Sequence, residues 1–224
     1  MINVLVLLIG FGLPIASGAA DAADPATVLR PGDRGIGVLV LQRRLRQKGY
    51  FWGQVNGKYD TATRSALWGF QKSQGLRMGS EVGPAVWKAL VRPREPKPLV
   101  PQGAPDRVEI DLSRQLLTVY RDRRPVLVSH ISSGAGVRFC HNGFCRIATT
   151  PVGDFRVTAR ASGWTTGPLG SMYNSLYFFG GVAMHGSTKV PSWPASHGCV
   201  RLPMEVSNRL YRLVGIGRPV YVRR

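Results

Sequence analysis

The sequence between residues 183 and 202 reads AMHGSTKVPSWPASHGCVRL, and it is the most informative stretch of this chain. Cys199 follows His197-Gly198 and precedes Val200-Arg201, and a second histidine, His185, lies upstream. Histidine and cationic side chains near a cysteine lower the thiol pKa, and a histidine can accept the thiol proton. The stretch therefore predicts an acyltransferase-type active site with Cys199 as an attacking thiolate. The simpler alternative is a buried structural cysteine.

The other two cysteines, Cys140 and Cys145, flank the sequence His141-Asn142-Gly143-Phe144. Asn-Gly favours a two-residue β-hairpin turn, which would place Cys140 directly opposite Cys145. Their Cα atoms would then lie about 4.5 to 5.5 Å apart, within reach of a disulfide. A metal site that uses Cys140, His141 and Cys145 is the alternative, but it lacks a second ligand cluster. The disulfide leaves Cys199 as the free thiol, and no metal or other cofactor is predicted.

The N-terminal residues 1–22 have the pattern of an export signal. An apolar run from Ile2 to Ile15 is followed by small residues and by Ala20-Asp21-Ala22, which matches an Ala-x-Ala cleavage pattern. The run is short for a membrane span, which needs about 20 apolar residues. We therefore predict a protein of the cell wall or periplasm that meets the membrane only transiently, through its signal. Such an oxidising compartment permits disulfides.

The chain is strongly basic, with 30 Lys and Arg residues against 12 Asp and Glu, a net charge of +18. This charge favours an anionic partner, which could be nucleic acid, a membrane surface or an anionic cell-wall polymer. The cations are spread along the chain without a long run, so a disordered basic tail is not predicted. The export signal and the lack of a recognised nucleic-acid motif argue against nucleic acid as the partner.

A proline-rich connector at residues 92–105 divides the chain into two predicted domains, because closely spaced prolines favour an extended spacer over a helix. Residues 28–91 predict three short helices. The first ends at Gly49, the second is capped by Asp60 and ends at Gly75, and the third begins at Pro84.

Residues 106–224 predict a mainly β domain with one C-terminal helix that begins after Pro203. Strands are predicted at residues 115–120, 126–131, 155–158, 176–179 and 218–222. The predicted fold class is thus α+β with two domains: a small three-helix bundle, then a sandwich-like or barrel-like β domain.

The motif at residues 183–202 resembles that of the YkuD-type L,D-transpeptidase catalytic domain. This family carries His-Gly followed downstream by Ser/Thr-His-Gly-Cys, which stand here as His185-Gly186 and Ser196-His197-Gly198-Cys199. The segments Thr150–Phe155 and Gly167–Gly170 also look like the family, and the resemblance covers roughly residues 107–222.

The resemblance implies roles for individual residues. Cys199 is expected to be the nucleophile and His185 the proton donor and acceptor, with its ring oriented by the carbonyl of Gly186. Catalytic positions are also expected at His197 and at Gly198, whose flexible backbone can bring amide groups to a reacting carbonyl. The resemblance also implies that Arg201 binds a substrate carboxylate, and Ser196 and Tyr173 are further candidates for substrate binding.

Residues 28–90 resemble a three-helix peptidoglycan-binding domain. The matching segments are Leu29–Gly35, Leu41-Gln42, Gly49-Tyr50, Asn56–Tyr59, Thr63, Phe70-Gln71 and Gly75-Leu76. The expected partners are therefore peptidoglycan stem peptides and glycan strands, and the expected processes are peptidoglycan biosynthesis, cell-wall organisation and maintenance of cell shape.

Three functions fit these observations. The first is transpeptidation, in which an acyl group on Cys199 passes to an amine and cross-links two stems. The second is hydrolysis by the same nucleophile, as in an L,D-carboxypeptidase. The third is a non-catalytic wall-binding protein, against which the intact His185 and Cys199 argue. Three aromatic residues flank the motifs and either line a groove or belong to the core: Trp164, Tyr173 and Trp193.

Overall fold

The structure, a computed structural model, describes residues 27–224. The predicted export signal at residues 1–22 lies outside the described residues. The described part begins with three helices: α1 (Ile36–Gln47), α2 (Thr61–Gln74) and α3 (Pro84–Val91). Between residues 27 and 224, every helix is too short or too polar to cross a membrane.

The predicted helix ends are confirmed. The Asp60 carboxylate accepts the Thr63 amide N–H at 2.9 Å and so caps α2. Gly75 ends α2 with φ of 67°, a left-handed conformation that glycine adopts at little cost. Pro84 occupies the first turn of α3, where its missing N–H leaves no hydrogen bond unmade.

Gln42 of α1 connects the first helix to the Asn56-Gly57 turn. Its side chain is fully buried and accepts the amide N–H groups of Asn56 and Gly57, each at 3.0 Å. The Gln42 amide group donates to the Lys58 carbonyl and to the Thr63 hydroxyl, each at 2.9 Å. A buried amide that satisfies both its oxygen and its nitrogen fixes the turn against α1. This bonding explains why these polar residues occur within a helical core.

The second domain contains eleven strands in the described part of the chain. They are β1 (Arg107–Asp111), β2 (Leu116–Arg121), β3 (Arg124–His130), β4 (Arg138–His141), β5 (Phe144–Ile147), β6 (Gly153–Arg156), β7 (Ala159–Gly167), β8 (Gly170–Phe179), β9 (Val182–Gly186), β10 (Val200–Leu202) and β11 (Pro219–Arg223). They form a five-stranded sheet in the order β3-β2-β1-β11-β6, a four-stranded sheet in the order β10-β9-β8-β7, and the β4–β5 hairpin.

The two larger sheets share one hydrophobic core, to which β1, β2 and β3 contribute from one side and β8, β9 and β10 from the other. The predicted C-terminal helix is present as α4 (Met204–Leu213), whose buried residues Val206 and Leu210 extend this core. The mainly β domain with one C-terminal helix is therefore confirmed, and it is a two-sheet sandwich rather than a closed barrel.

The two domains are joined by apolar packing as well as by the connector. Leu116 of β2 and Val128 of β3 belong to the core of the helical domain. Gly69 of α2 lies so close to β3 that a Cβ atom there would be 2.9 Å from the His130 amide nitrogen. The connector is bonded to the helical domain, since the Arg94 amide donates to Gln74 at 2.8 Å.

A polar contact lies at the centre of this interface. The Lys72 ammonium of α2 donates to His130 Nδ1 at 2.9 Å and to the carbonyls of Gln115 and Ser192 at 3.3 and 3.4 Å. The ring proton of His130 is therefore on Nε2, which donates to the Val190 carbonyl at 3.2 Å. Burial and, to a smaller extent, the Lys72 charge lower the pKa of His130 to about 3, so the ring is neutral.

We expect Lys72→Met to reduce the free energy of unfolding by about 1 to 3 kcal/mol, because it leaves buried acceptors at His130 and Ser192 without a donor. Urea denaturation measures this loss. Lys88→Met, at an exposed site on α3, is the matched control and should change stability by less than about 0.5 kcal/mol. Equal stability of the two variants would contradict the importance of this contact.

Candidate active site

The motif residues are brought together by the parallel pairing of β9 and β10. In this register Val200 lies opposite Met184 and Arg201 opposite His185. Successive side chains of a strand point to opposite faces, so Met184 and Val200 enter the core while His185 and Arg201 face outward. Cys199 directly precedes β10 and shares the face of Arg201. Three predicted site residues therefore lie side by side on one sheet face.

This face forms the floor of a cleft of about 430 Å³. The walls are the loop that follows His185, the tip of the β7–β8 hairpin, and Arg146 from β5. Among the described residues that line the cleft, three carry positive charge (Arg146, Lys189 and Arg201) and none is acidic. The cleft therefore favours an anionic ligand. We call it the active-site cleft.

His185 is a buried, neutral imidazole. Its Nδ1 lies 2.9 Å from the Gly186 carbonyl, the contact that the family resemblance implies. Nδ1 carries the proton and donates it to this carbonyl, which leaves the lone pair of Nε2 to act as a base. Burial lowers the pKa of His185, and the Arg201 charge adds to the effect. An unprotonated ring can accept a proton at neutral pH.

Cys199 is the free cysteine of the described residues, and it is half-buried. The Ala183 amide N–H lies 3.5 Å from Sγ, and the thiol donates to the Gly181 carbonyl at 3.8 Å. Burial raises the pKa of Cys199 above its ordinary value, and the opposing effects of the Ala183 amide and Arg201 are smaller. The prediction of a lowered thiol pKa is therefore wrong, because the sequence reveals nearby charges but not the loss of solvent.

The turn before Cys199 is held by two hydroxyl groups, one from Ser196 within the turn and one from the distant Thr150. The Ser196 hydroxyl donates to the Cys199 carbonyl at 2.5 Å and accepts the Gly198 amide N–H at 3.0 Å. The Thr150 hydroxyl donates to the Gly198 carbonyl at 2.7 Å. The Ser196 hydroxyl and both backbone polar groups of Gly198 thus have hydrogen-bond partners, which fixes the conformation of the loop. Thr150 was not predicted as a site residue, since nothing in its local sequence indicates this long-range bond.

Glycine is required at two positions of the motif, because other segments pack too closely against the backbone there to leave room for a Cβ atom. Gly198 has φ of 135°, and a Cβ atom there would lie 3.0 Å from the Thr149 carbonyl oxygen. A Cβ atom on Gly186 would lie 2.9 Å from the Ser207 side chain of α4. The glycines of the motif therefore allow the loop and α4 to pack directly behind the site.

The predicted disulfide is present between Cys140 and Cys145, which face each other across the β4–β5 hairpin. Their Cα atoms are 4.0 Å apart, closer than predicted. Asn142 and Gly143 both have positive φ, as a type I′ turn requires. The hairpin reaches the site, because the ring of Phe139 packs 4.8 Å from that of His197. His197 is exposed and lines the cleft.

Tyr173 is placed differently from the other predicted residues. It lies on β8 opposite Gly186, but its ring packs 5.2 Å from Trp164 and it does not line the active-site cleft. The described residues contain no group of three His, Cys, Asp or Glu side chains that could hold a metal ion.

Comparisons with known proteins match both domains. A family model described as the L,D-transpeptidase catalytic domain, YkuD, matches residues 105–222, and a peptidoglycan binding domain model matches residues 34–90. The L,D-transpeptidase from Xylanimonas cellulosilytica is similar over 87% of this chain and 97% of that chain, with 39% identity and a TM-score of 0.81. An L,D-transpeptidase from Stackebrandtia nassauensis covers 90% of this chain and 98% of its own, at 21% identity and a TM-score of 0.49. A search of curated proteins found no match.

The raised thiol pKa predicts how Cys199 reacts with iodoacetamide. The alkylation rate should rise with pH to an inflection above about 8.5, the ordinary thiol value, because burial disfavours the thiolate. Mass spectrometry of the intact protein measures the rate. Arg201→Gln should move the inflection higher still, since the Arg201 charge favours the thiolate, and Cys199→Ser should not be labelled. An inflection below pH 7 would contradict the dominance of burial.

Proposed function

The chain belongs to the YkuD family of L,D-transpeptidases, which confirms the resemblance of its motifs, and from this premise we propose that it cross-links peptidoglycan stem peptides through an acyl-enzyme on Cys199. One observation carries the proposal: the free thiol of Cys199 and the neutral imidazole of His185 lie on the same face of the β9–β10 pair, in a cationic cleft. A thiol beside a base is the arrangement that nucleophilic acyl transfer needs.

The proposed acylation begins with a neutral pair, because burial disfavours both the thiolate and the imidazolium. The thiol proton passes to Nε2 of His185 as sulfur attacks the carbonyl of the L-centre of a donor stem. The C–N bond then breaks, and the imidazolium returns the proton to the departing terminal D-alanine. A base that is neutral at pH 7 suits this sequence of proton transfers.

The second half of the proposed reaction releases the acyl group to an amine on a neighbouring stem. The amine attacks the thioester carbonyl, its proton passes to His185, and the C–S bond breaks to restore the thiol. Arg201 favours the substrate carboxylate and the developing thiolate, since it lines the cleft and its charge favours the charged form of Cys199. The expected roles of His197, Gly198 and Ser196, which line the active-site cleft, are kept as part of the proposal, whereas Tyr173 does not line the cleft and is assigned no contact with substrate there.

The helical domain, which we expect to fold as a three-helix bundle at residues 28–91, is proposed to dock the protein on peptidoglycan. The match of residues 34–90 to a peptidoglycan binding domain supports this division of labour with residues 106–224. The net charge of +18 favours an anionic wall polymer. We propose that the protein works outside the cytoplasm, after export by residues 1–22.

Purified protein incubated with tetrapeptide stems should yield cross-linked dimers, which mass spectrometry detects together with an acyl adduct on Cys199. Tripeptide as the sole product would assign the chain to the carboxypeptidase alternative. The absence of both turnover and adduct would contradict a catalytic function. Cys199→Ala should abolish turnover while binding to isolated peptidoglycan persists, because docking is assigned to the other domain.

His185→Gln should slow acylation of Cys199 by roughly 10²- to 10⁴-fold, the usual contribution of a general base. Intact-protein mass spectrometry after rapid mixing with donor stem measures this step. His141→Gln is the matched control, because His141 lies on the β4–β5 hairpin and does not line the cleft. Similar rates for the two variants would reject His185 as the base.

A further inference from the structure

A second cleft, of about 600 Å³, lies between the two domains. One wall is α2 of the helical domain, with Arg64 and Trp68, and the other is the loop of residues 187–195, with Lys189 and Trp193. We call it the interdomain cleft. It contains neither Cys199 nor His185, but it shares residues 187–189 and Arg201 with the active-site cleft. The two cavities therefore meet beside the reacting groups.

The loop wall is held by bonds to its main chain. The Val190 and Ser192 carbonyls accept from His130 and Lys72, and the Trp193 carbonyl accepts the Ser132 hydroxyl at 2.7 Å. These bonds use backbone oxygens and leave the side chains available for a ligand. The Trp193 side chain is 63% exposed. A preformed cavity at a domain interface is a common place for a ligand site.

The lining of the interdomain cleft suits an acidic peptide. Three cations, Arg64, Lys189 and Arg201, line it against one acid, Glu205. The Arg64 guanidinium lies 5.0 Å from the Trp68 ring, and its buried Nε has no hydrogen-bond partner in the structure. Cations together with the rings of the half-buried Trp68 and the exposed Trp193 can bind the carboxylates and the apolar part of one ligand at the same time.

The order of the reaction identifies this ligand. The leaving amine and the attacking amine exchange a proton with the same base, so both must sit beside His185. When the attacking amine arrives, the donor acyl chain still occupies the active-site cleft. The rest of the acceptor peptide must therefore lie outside the active-site cleft. The interdomain cleft opens from that point, because Arg201, which lies opposite His185, lines both cavities.

We propose that the interdomain cleft binds the acceptor stem, an acidic peptide with a free side-chain amine, between the helical domain and the loop of residues 187–195. This inference rests on the proposed transpeptidase function. The acceptor amine forms the new C–N bond as the C–S bond of the thioester breaks, and its proton passes through His185 to the departing sulfur. The helical domain thus contributes Arg64 to substrate binding as well as docking the wall.

The experiment separates the two half-reactions. Donor tetrapeptide acylates Cys199, and the acceptor is a tripeptide stem, with lysine or diaminopimelate, which has no terminal D-alanine to lose. Arg64→Ala and Trp193→Ala, one from each wall, should leave the acylation rate unchanged, raise the acceptor KM roughly tenfold and shift products toward hydrolysis. Arg77→Ala, at an exposed site of the helical domain outside both clefts, is the matched control.

Four outcomes decide the proposal. A raised acceptor KM in both wall variants, with normal acylation, supports it. An unchanged acceptor KM in both variants overturns it. A raised acceptor KM together with an equal loss of the acylation rate also overturns it, because the two half-reactions would then not be separated. Weaker binding of chitotetraose with unchanged acceptor KM would also overturn it, because the cleft would then hold glycan. Failure of the unmodified protein to acylate would instead reject the proposed function itself.

Discussion

The site depends on the parallel pairing of two short strands, β9 and β10. β10 has only three residues, and its two core side chains, Val200 and Leu202, are fully buried. Because the side-chain period of a strand is two, burying these residues forces Cys199 and Arg201 onto the opposite face. A shift of one residue in this register would bury the arginine and remove the thiol from the cleft. Packing of the sandwich core therefore determines the geometry of the chemistry.

The same packing sets the protonation states of the reacting pair. The Arg201 charge favours the thiolate of Cys199, but burial disfavours it and has the larger effect on the thiol pKa. His185 responds to the same burial by losing its proton more readily. Without substrate, the Cys199 thiol and the His185 imidazole are therefore both neutral. The proton moves from the thiol to the imidazole when a substrate can stabilise the resulting charges.

Much of this arrangement could be predicted from the sequence because it depends on local chemistry. The caps of α2, the Asn142-Gly143 turn, the disulfide and the candidate nucleophile each follow from a few adjacent residues. Strands β1, β7, β9 and β10 were not predicted: β10 is very short, and β7 contains Gly163 with a positive φ that interrupts its alternation. The thiol pKa, the Thr150 bond and the interdomain cleft depend on contacts between distant segments, which a single sequence does not reveal.

The apolar packing between the domains has a consequence for how the protein meets a polymer. Leu116 and Val128 are part of the sheet domain but pack into the core of the helical domain. Lys72 of α2 donates to the Ser192 carbonyl in the loop beside the active site. This packing and the Lys72 contact hold the helical domain and the reaction centre at one spacing. With the proposed docking of the helical domain on peptidoglycan, a polymer with a regular repeat, this spacing sets how far from the bound position the thiol of Cys199 acts.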